Sequence, residues 1–166
     1  VKTRHERRII EDFPDYEVSN FGGVIYNIHT KHPVSPSKTP TGAWKINLMN
    51  DHVVYTRSVA KIVCLTFHGV PEKGMVVIHK DENYDNLDAD NLMWRPRWYA
   101  QERAIQRARV YPLRDIPIRV NATGEVYPNS RACADALYAI ERYIVLAAGQ
   151  GENGYYMGST YTYIYD

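Results

Sequence analysis

From Asp15 to Asn27 apolar and polar residues alternate on either side of Gly22 and Gly23, a pattern that predicts strand, turn and strand. The alternation returns in Trp44–Met49 and Val53–Thr56, separated by the turn pair Asn50–Asp51, so a small antiparallel N-terminal sheet is expected. Pro33, Pro36 and Pro40, with Ser and Thr between them, read as a surface loop because proline cannot donate to a sheet ladder. The period then becomes helical. Ser58 to Phe67 puts Val59, Ile62, Val63 and Phe67 near one face, with Ser58 as N-cap and Gly69 as the stop. Val76–His79 reads as a buried strand, Lys80 to Asp90 as a polar loop and Leu92–Trp94 as a second short strand. Pro96 suits the first turn of a helix running to about Arg109.

Residues 111–117 read as a linker. Beyond it, Ile118–Val120 and Glu125–Tyr127 flank Asn121 to Gly124 as a hairpin, and Asn129 or Ser130 caps a helix through about Tyr138. A second helix is expected from Glu141 to Ala148, stopped by Gly149 and Gly151, and the Tyr-rich tail from Tyr155 to Tyr165 alternates like a strand. Two short helices with a tight turn between them resemble a helix-turn-helix unit. The class is therefore α+β.

Composition adds few constraints. The 166 residues are 45% hydrophobic and 23% charged, which is ordinary for a folded chain. A formal net charge of +1 does not announce a polyanionic partner, but the charge is uneven. Lys2, Arg4, Arg7 and Arg8 face only Glu6 in residues 1–8, and Arg95, Arg97, Arg103, Arg107, Arg109 and Arg114 face only Glu102 in residues 95–114. Residues 72–90 are the reverse, with Glu72, Asp81, Glu82, Asp85, Asp88 and Asp90 against Lys73 and Lys80. Cys64 and Cys133 have neither disulfide nor zinc-ligand spacing, which fits a reducing cytosol. No stretch reaches the roughly 20 apolar residues of a membrane span, and the basic N-terminus lacks the apolar run of a signal peptide.

The most specific stretch runs from Gly74 to Trp94. A strand delivers His79, an Asp/Asn-rich loop follows with Asp81, Asn83 and Asn86, and Asn91-Leu92-Met93-Trp94 leads into a helix. In this order and spacing it resembles the core of the HNH homing endonucleases encoded in phage introns. The stretch from Tyr16 to Asn27 is similar to the nuclease-associated module that precedes that core, and residues 118–166 to the helix-turn-helix module that follows it. The resemblance implies an N-terminal nuclease-associated module over 1–57, an HNH-like beta-beta-alpha core over 58–110, a linker over 111–117 and a C-terminal helix-turn-helix-like module over 118–166.

What it implies about chemistry is mixed. The family's general base stands at His79, and the asparagine at Asn91 ties down the loop that orients it; a neutral imidazole suits that role. The family's metal ligands stand immediately before the histidine and six residues after the tryptophan. Those positions here are Ile78 and Ala100, whose side chains carry no oxygen for magnesium. Ala60 also replaces a histidine that relatives carry in the preceding helix. Asp81 or Asp90 is left as a substitute ligand. The expectation is a double-stranded DNA-binding protein with weak or absent metal-dependent cleavage, holding phosphates through Arg95, Arg97, Arg103 and Arg107. Two alternatives stay open: an active nicking endonuclease with an unusual metal site, using magnesium or manganese, and a catalytically dead scaffold with no cofactor. The scaffold would bind a host or phage protein through Tyr138, Tyr143 and the tail. The cytosol of a phage-infected bacterium is the expected location.

Overall fold

The computed structural model describes residues 4–106 and 116–165 in full and residues 107 and 108 as backbone. Apart from residues 116 and 117, the linker expected at 111–117 lies outside the described residues. The chain forms two compact units, Val1–Arg97 and Trp98–Asp166, where the sequence pattern suggests module boundaries after residues 57 and 110.

In the first unit the N-terminal alternation resolves into two three-stranded antiparallel sheets. One orders β1 (Arg7–Ile10), β2 (Phe13–Ser19) and β3 (Ile25–Asn27); the other orders β4 (Ser37–Lys38), β5 (Trp44–Asn50) and β6 (Val53–Ser58). Strand β1 is invisible to the sequence pattern, because only Ile10 of its four residues is buried and an edge strand with one anchored side chain leaves no alternation to read. The β5–β6 turn falls one residue later than predicted, at Asp51 and His52. Both adopt left-handed φ, 49° and 62°, the sign that a two-residue hairpin turn needs to match strand twist.

Helix α1 (Val59–His68) begins where expected: the Ser58 hydroxyl accepts from the Lys61 N–H at 3.4 Å, and Gly69 closes it at φ 80°. Its apolar face, Val59, Ile62, Val63 and Cys64, packs with Val18 and Ile25 of one sheet, Ile46 and Leu48 of the other, and Leu92 of the strand pair below. Each fully buried aliphatic side chain of this kind stabilises by about 1.5–3 kcal/mol. Burial pushes the Cys64 thiol up to about 12, so it acts as a small apolar residue. Strands β7 (Met75–His79) and β8 (Leu92–Pro96) complete the unit as an antiparallel pair. Pro96 closes β8 opposite Met75 and does not open the helix, a correction to the sequence reading; a strand terminus tolerates its missing N–H.

The second unit opens with helix α2 (Arg97–Ala108), which follows β8 without a loop. Strand β9 (Ile118–Val120) pairs with β10 (Val126–Tyr127) and, on its other edge, with the tail strand β11 (Tyr161–Tyr163). Helices α3 (Ser130–Ala136) and α4 (Glu141–Gly149) bury Cys133, Ala134, Ile144 and Ala147 against Ile118, Val120 and Tyr161. Asn129 caps α3 through its side-chain oxygen on the Ala132 N–H at 2.8 Å. Ile140, preceding α4, has no capping side chain, and the Gln106 Oε1 of α2 accepts from the Glu141 N–H at 2.9 Å in its place.

Candidate active site

The β7–β8 pair sets the site. Its register places Ile78 opposite Met93 and His79 opposite Leu92, and the Lys80 N–H to Asn91 carbonyl bond at 2.8 Å closes the ladder. Residues 81–90 then leave as a loop that folds on its own side chains. Asn91 works as a clamp: its Oδ1 accepts from the Asp81 N–H at 3.1 Å, and its Nδ2 donates to Asp81 Oδ1 at 2.9 Å and to the Asn86 carbonyl at 2.8 Å. The Asn86 Nδ2 donates to Asp81 Oδ2 at 2.6 Å, and the Asn83 N–H to Asp81 Oδ1 at 2.9 Å. Short Asp and Asn side chains spaced by two residues can each take a nearby backbone N–H, and here the Asp85 N–H bonds Asn83 Oδ1 at 3.0 Å.

The loop is also pinned to the N-terminal sheets. Asp85 Oδ1 receives Lys38 Nζ at 2.5 Å and Trp44 Nε1 at 2.8 Å, and Asp88 Oδ1 receives the Gly22 N–H at 2.5 Å. The Ala89 N–H bonds the Asn20 carbonyl at 2.8 Å, and His68 Nε2 donates to the Ala89 carbonyl at 2.7 Å. Gly23 makes this approach feasible. A Cβ there would stand 3.0 Å from Leu87 and from Val59, at a φ of +58°.

His79 is half-buried at the strand end, its ring edge-on to Tyr84 at 5.0 Å between centroids. Nε2 is buried with no protein hydrogen-bond partner. Burial pulls the imidazole pKa below its ordinary value, and the Asp81 charge opposes that only in part. The ring is therefore neutral near pH 7, the form a general base needs. Burial pushes the Asp81 carboxyl up, but the bonds from Asn86, Asn83 and Asn91 and the charge of His79 outweigh it and hold the group below the usual carboxylate value.

These shifts predict a pH signature. The unfolded imidazole takes up a proton at higher pH than the folded one, so the unfolded chain binds more protons below about 6.5 and stability falls as pH drops through that window. The Asp81 contribution is lost only lower, as pH falls below 3.8. His79→Ala should flatten the first slope and leave the second, as read by urea unfolding at a series of pH values.

The metal question turns on oxygen donors. Ile78 and Ala100 are half-buried and bring none. Both oxygens of Asp81 already accept within the loop clamp, Oδ1 from Asn91 Nδ2 and the Asn83 N–H and Oδ2 from Asn86 Nδ2, so a cation on Asp81 would compete with those donors. Asp90 is exposed in the short turn Ala89–Asn91, where its carbonyl accepts from Lys80 Nζ at 2.6 Å. Among the described residues no three His, Cys, Asp or Glu side chains gather into a metal-holding group. The residues present do not fit a magnesium site of the kind the resemblance implies.

The arginine stripe divides. Arg95 lies half-buried on β8 opposite Val76, and Arg97 is exposed at the start of α2. Arg103, expected on phosphate, turns into the second unit instead. Only 9% exposed, it pairs with Asp135 at 2.8 Å and donates to the Ala139 carbonyl at 3.3 Å. The side chain of Arg107 lies outside the described residues. Sequence reasoning missed Lys38, Trp44 and Asp88 as anchors of the loop, because nothing local ties Lys38 to a carboxylate so far along the chain.

Residues 59–101, spanning α1, the β7–β8 pair and the first turn of α2, match the family model described as HNH endonuclease. Across 97% of this chain and 99% of the other, the fold superposes at a TM-score of 0.59 and 22% identity on a solved structure described as "DNA binding and cleavage by the HNH homing endonuclease I-HmuI". No curated protein matches the chain. The resemblance to HNH homing endonucleases is borne out by these two likenesses, and so is an α+β fold of small antiparallel sheets and few helices. Among the described residues no helix is long and apolar enough to cross a membrane.

Proposed function

We propose that the protein binds double-stranded DNA and has weak or absent metal-dependent cleavage. The observation that carries this reading is the loop of the HNH segment: its scaffold is intact, with Asn91 clamped to Asp81, while the residue before His79 is Ile78. A scaffold can position DNA without a cation, because phosphate contacts and groove readout do not depend on the catalytic metal. The solved relative that shares the fold is described as binding and cleaving DNA, which supports the partner. The bacterial cytosol, during phage infection, is the setting this reading implies.

One observation favours the second reading, an active nicking enzyme: the neutral His79 with its unpartnered Nε2 is chemically ready to accept a proton. A supercoiled plasmid incubated with Mg²⁺ or Mn²⁺, beside a gel-shift on the same DNA, separates the readings. Shifted but uncut DNA is the expected result; nicked plasmid that persists in wild type and vanishes in His79→Ala would select the enzyme.

The arginines give a further prediction. Arg97→Ala should lower the salt dependence of binding by roughly 0.9 for each phosphate the chain no longer neutralises. Arg103→Ala should leave that slope unchanged and instead destabilise the fold by about 1–2 kcal/mol, because the second unit is then deprived of its packing and hydrogen bonds. Binding titrations across a salt series, read beside urea unfolding, check both outcomes.

A further inference from the structure

The chain holds three tryptophans, and the structure treats one differently. Trp44 and Trp94 are half-buried against the core, with their indole N–H groups on Asp85 at 2.8 Å and on the Gly69 carbonyl at 3.1 Å. Trp98 is 48% exposed, in the first turn of α2. Its ring is nevertheless braced. Tyr99 meets it at 6.2 Å and 73°, and Tyr143 of α4 at 6.1 Å and 86°. Tyr143 is itself fixed, with the Arg142 guanidinium 4.8 Å over its ring and Tyr156 at 5.5 Å, whose hydroxyl accepts from the Ile140 N–H at 3.2 Å.

Both neighbours stand nearly perpendicular to the indole, so neither stacks flat on it, and a large aromatic surface is held rigid in solvent. Such a surface offers a flat π-face to a planar ligand. The charge around it chooses the ligand. Exposed Arg97 precedes Trp98, the first turn of α2 carries no acidic side chain, and Glu102 one turn on is paired with Arg142 at 3.1 Å. A cation beside a flat apolar platform matches a nucleotide, with phosphate on the one and base on the other.

We propose that Trp98 is a stacking site for an unstacked nucleobase of the bound DNA, with the adjoining phosphate at Arg97. The proposal rests on the DNA-binding reading and adds where the helix is opened. In a paired duplex both faces of every base are covered by its neighbours, so the indole binds only where a base step is unstacked. Trp98 therefore makes the protein prefer distorted over regular duplex, independently of any cleavage.

The test compares two short fluorescein-labelled duplexes of one sequence, fully paired or carrying a single bulged thymine, by anisotropy with the full chain. The wild-type protein should bind the bulged duplex roughly tenfold more tightly, which is the scale of one base–aromatic stack. Trp98→Phe should keep most of that preference. Trp98→Leu should lose it while still binding the paired duplex, because leucine replaces apolar bulk but not a stacking face. Equal wild-type affinity for the two duplexes, or a preference that survives in Trp98→Leu, overturns the stacking site and leaves the DNA-binding reading standing. Absence of binding to either duplex overturns both together. Far-UV circular dichroism of each variant keeps a folding defect from passing as a missing stack, and Trp98→Gln, which also lacks a stacking face and should likewise lose the preference, takes the place of Trp98→Leu if that variant unfolds.

Discussion

Replacing Ile78 with Asp and Ala100 with Asn together is expected to raise plasmid nicking on the order of a hundredfold or more above the unmodified chain, and only in the presence of Mg²⁺ or Mn²⁺. The segment that matches the HNH endonuclease model has a neutral His79 and a loop whose Asp81 is gripped by Asn91, Asn86 and the Asn83 N–H. It lacks oxygen donors at the two positions where the resemblance puts them. A divalent cation bound there would supply charge stabilisation on the scissile phosphate; the two substitutions provide only the donor types, and on the proposed reading His79 would accept the proton. Adding His79→Ala should return the rate to background, since a positioned general base typically contributes about 10²–10⁴-fold. Asp at the half-buried Ile78 position costs about 1–2 kcal/mol without the cation, so melting is measured with and without metal. A folded double variant that takes up the ion and still fails to nick would mean that more than the ligands has changed.

The elements that a local pattern governs are legible in the sequence, and those governed by distant partners are not. Helix α1 is announced by its own face and by Ser58 and Gly69, and β7 and β8 by short apolar runs with His79 and Asn91 at their ends. Asn91 is singled out through the resemblance of its segment to the HNH core, and in the structure its side chain bonds Asp81 through both Oδ1 and Nδ2. Arg103 cannot be read correctly. On a basic helix an inward arginine and a phosphate-facing one share the same neighbours, and only Asp135 on α3 distinguishes them. The same holds for Gln106, whose role as a cap for α4 depends on a helix more than 30 residues away in sequence. Strand β11 is visible as alternation, yet its place beside β9 rests on long-range register, Tyr161 opposite Val120, that alternation does not encode. Asp85 lies between these cases: the Asp81, Asn83, Asp85 spacing signals a self-bonded loop, while its contact with Lys38 requires the N-terminal sheet.

Gly154→Ala is expected to be among the most damaging single methyl additions in the second unit, destabilising by about 3 kcal/mol or more. Gly154 is buried and follows the short turn Gly151–Asn153 after α4, at a φ of −86° that any residue adopts, so the requirement is space and not conformation. A Cβ there would stand 1.9 Å from the Ala147 carbonyl oxygen, 2.6 Å from its carbon and 2.7 Å from its Cα. These are backbone atoms of α4, and no rotamer change relieves the overlap. Ala147 is itself buried, and its carbonyl accepts from the Gln150 N–H at 3.2 Å, so moving it disturbs the last turn of the helix. Moving the other side is no easier. The chain beyond Gly154 is held by Tyr156, whose hydroxyl takes the Ile140 N–H, and by the Tyr161 hydroxyl on the Tyr156 carbonyl at 3.1 Å. Gly149→Ala is the control: nothing lies within 4 Å of a Cβ at that position, and alanine is favoured over glycine in a helix by about 1 kcal/mol, so this variant should be neutral or slightly more stable. Urea unfolding of the full chain, followed by far-UV circular dichroism, reads both. Equal midpoints for Gly154→Ala and wild type would mean that the return of the chain onto α4 is looser than the close approach of Gly154 to the Ala147 backbone requires.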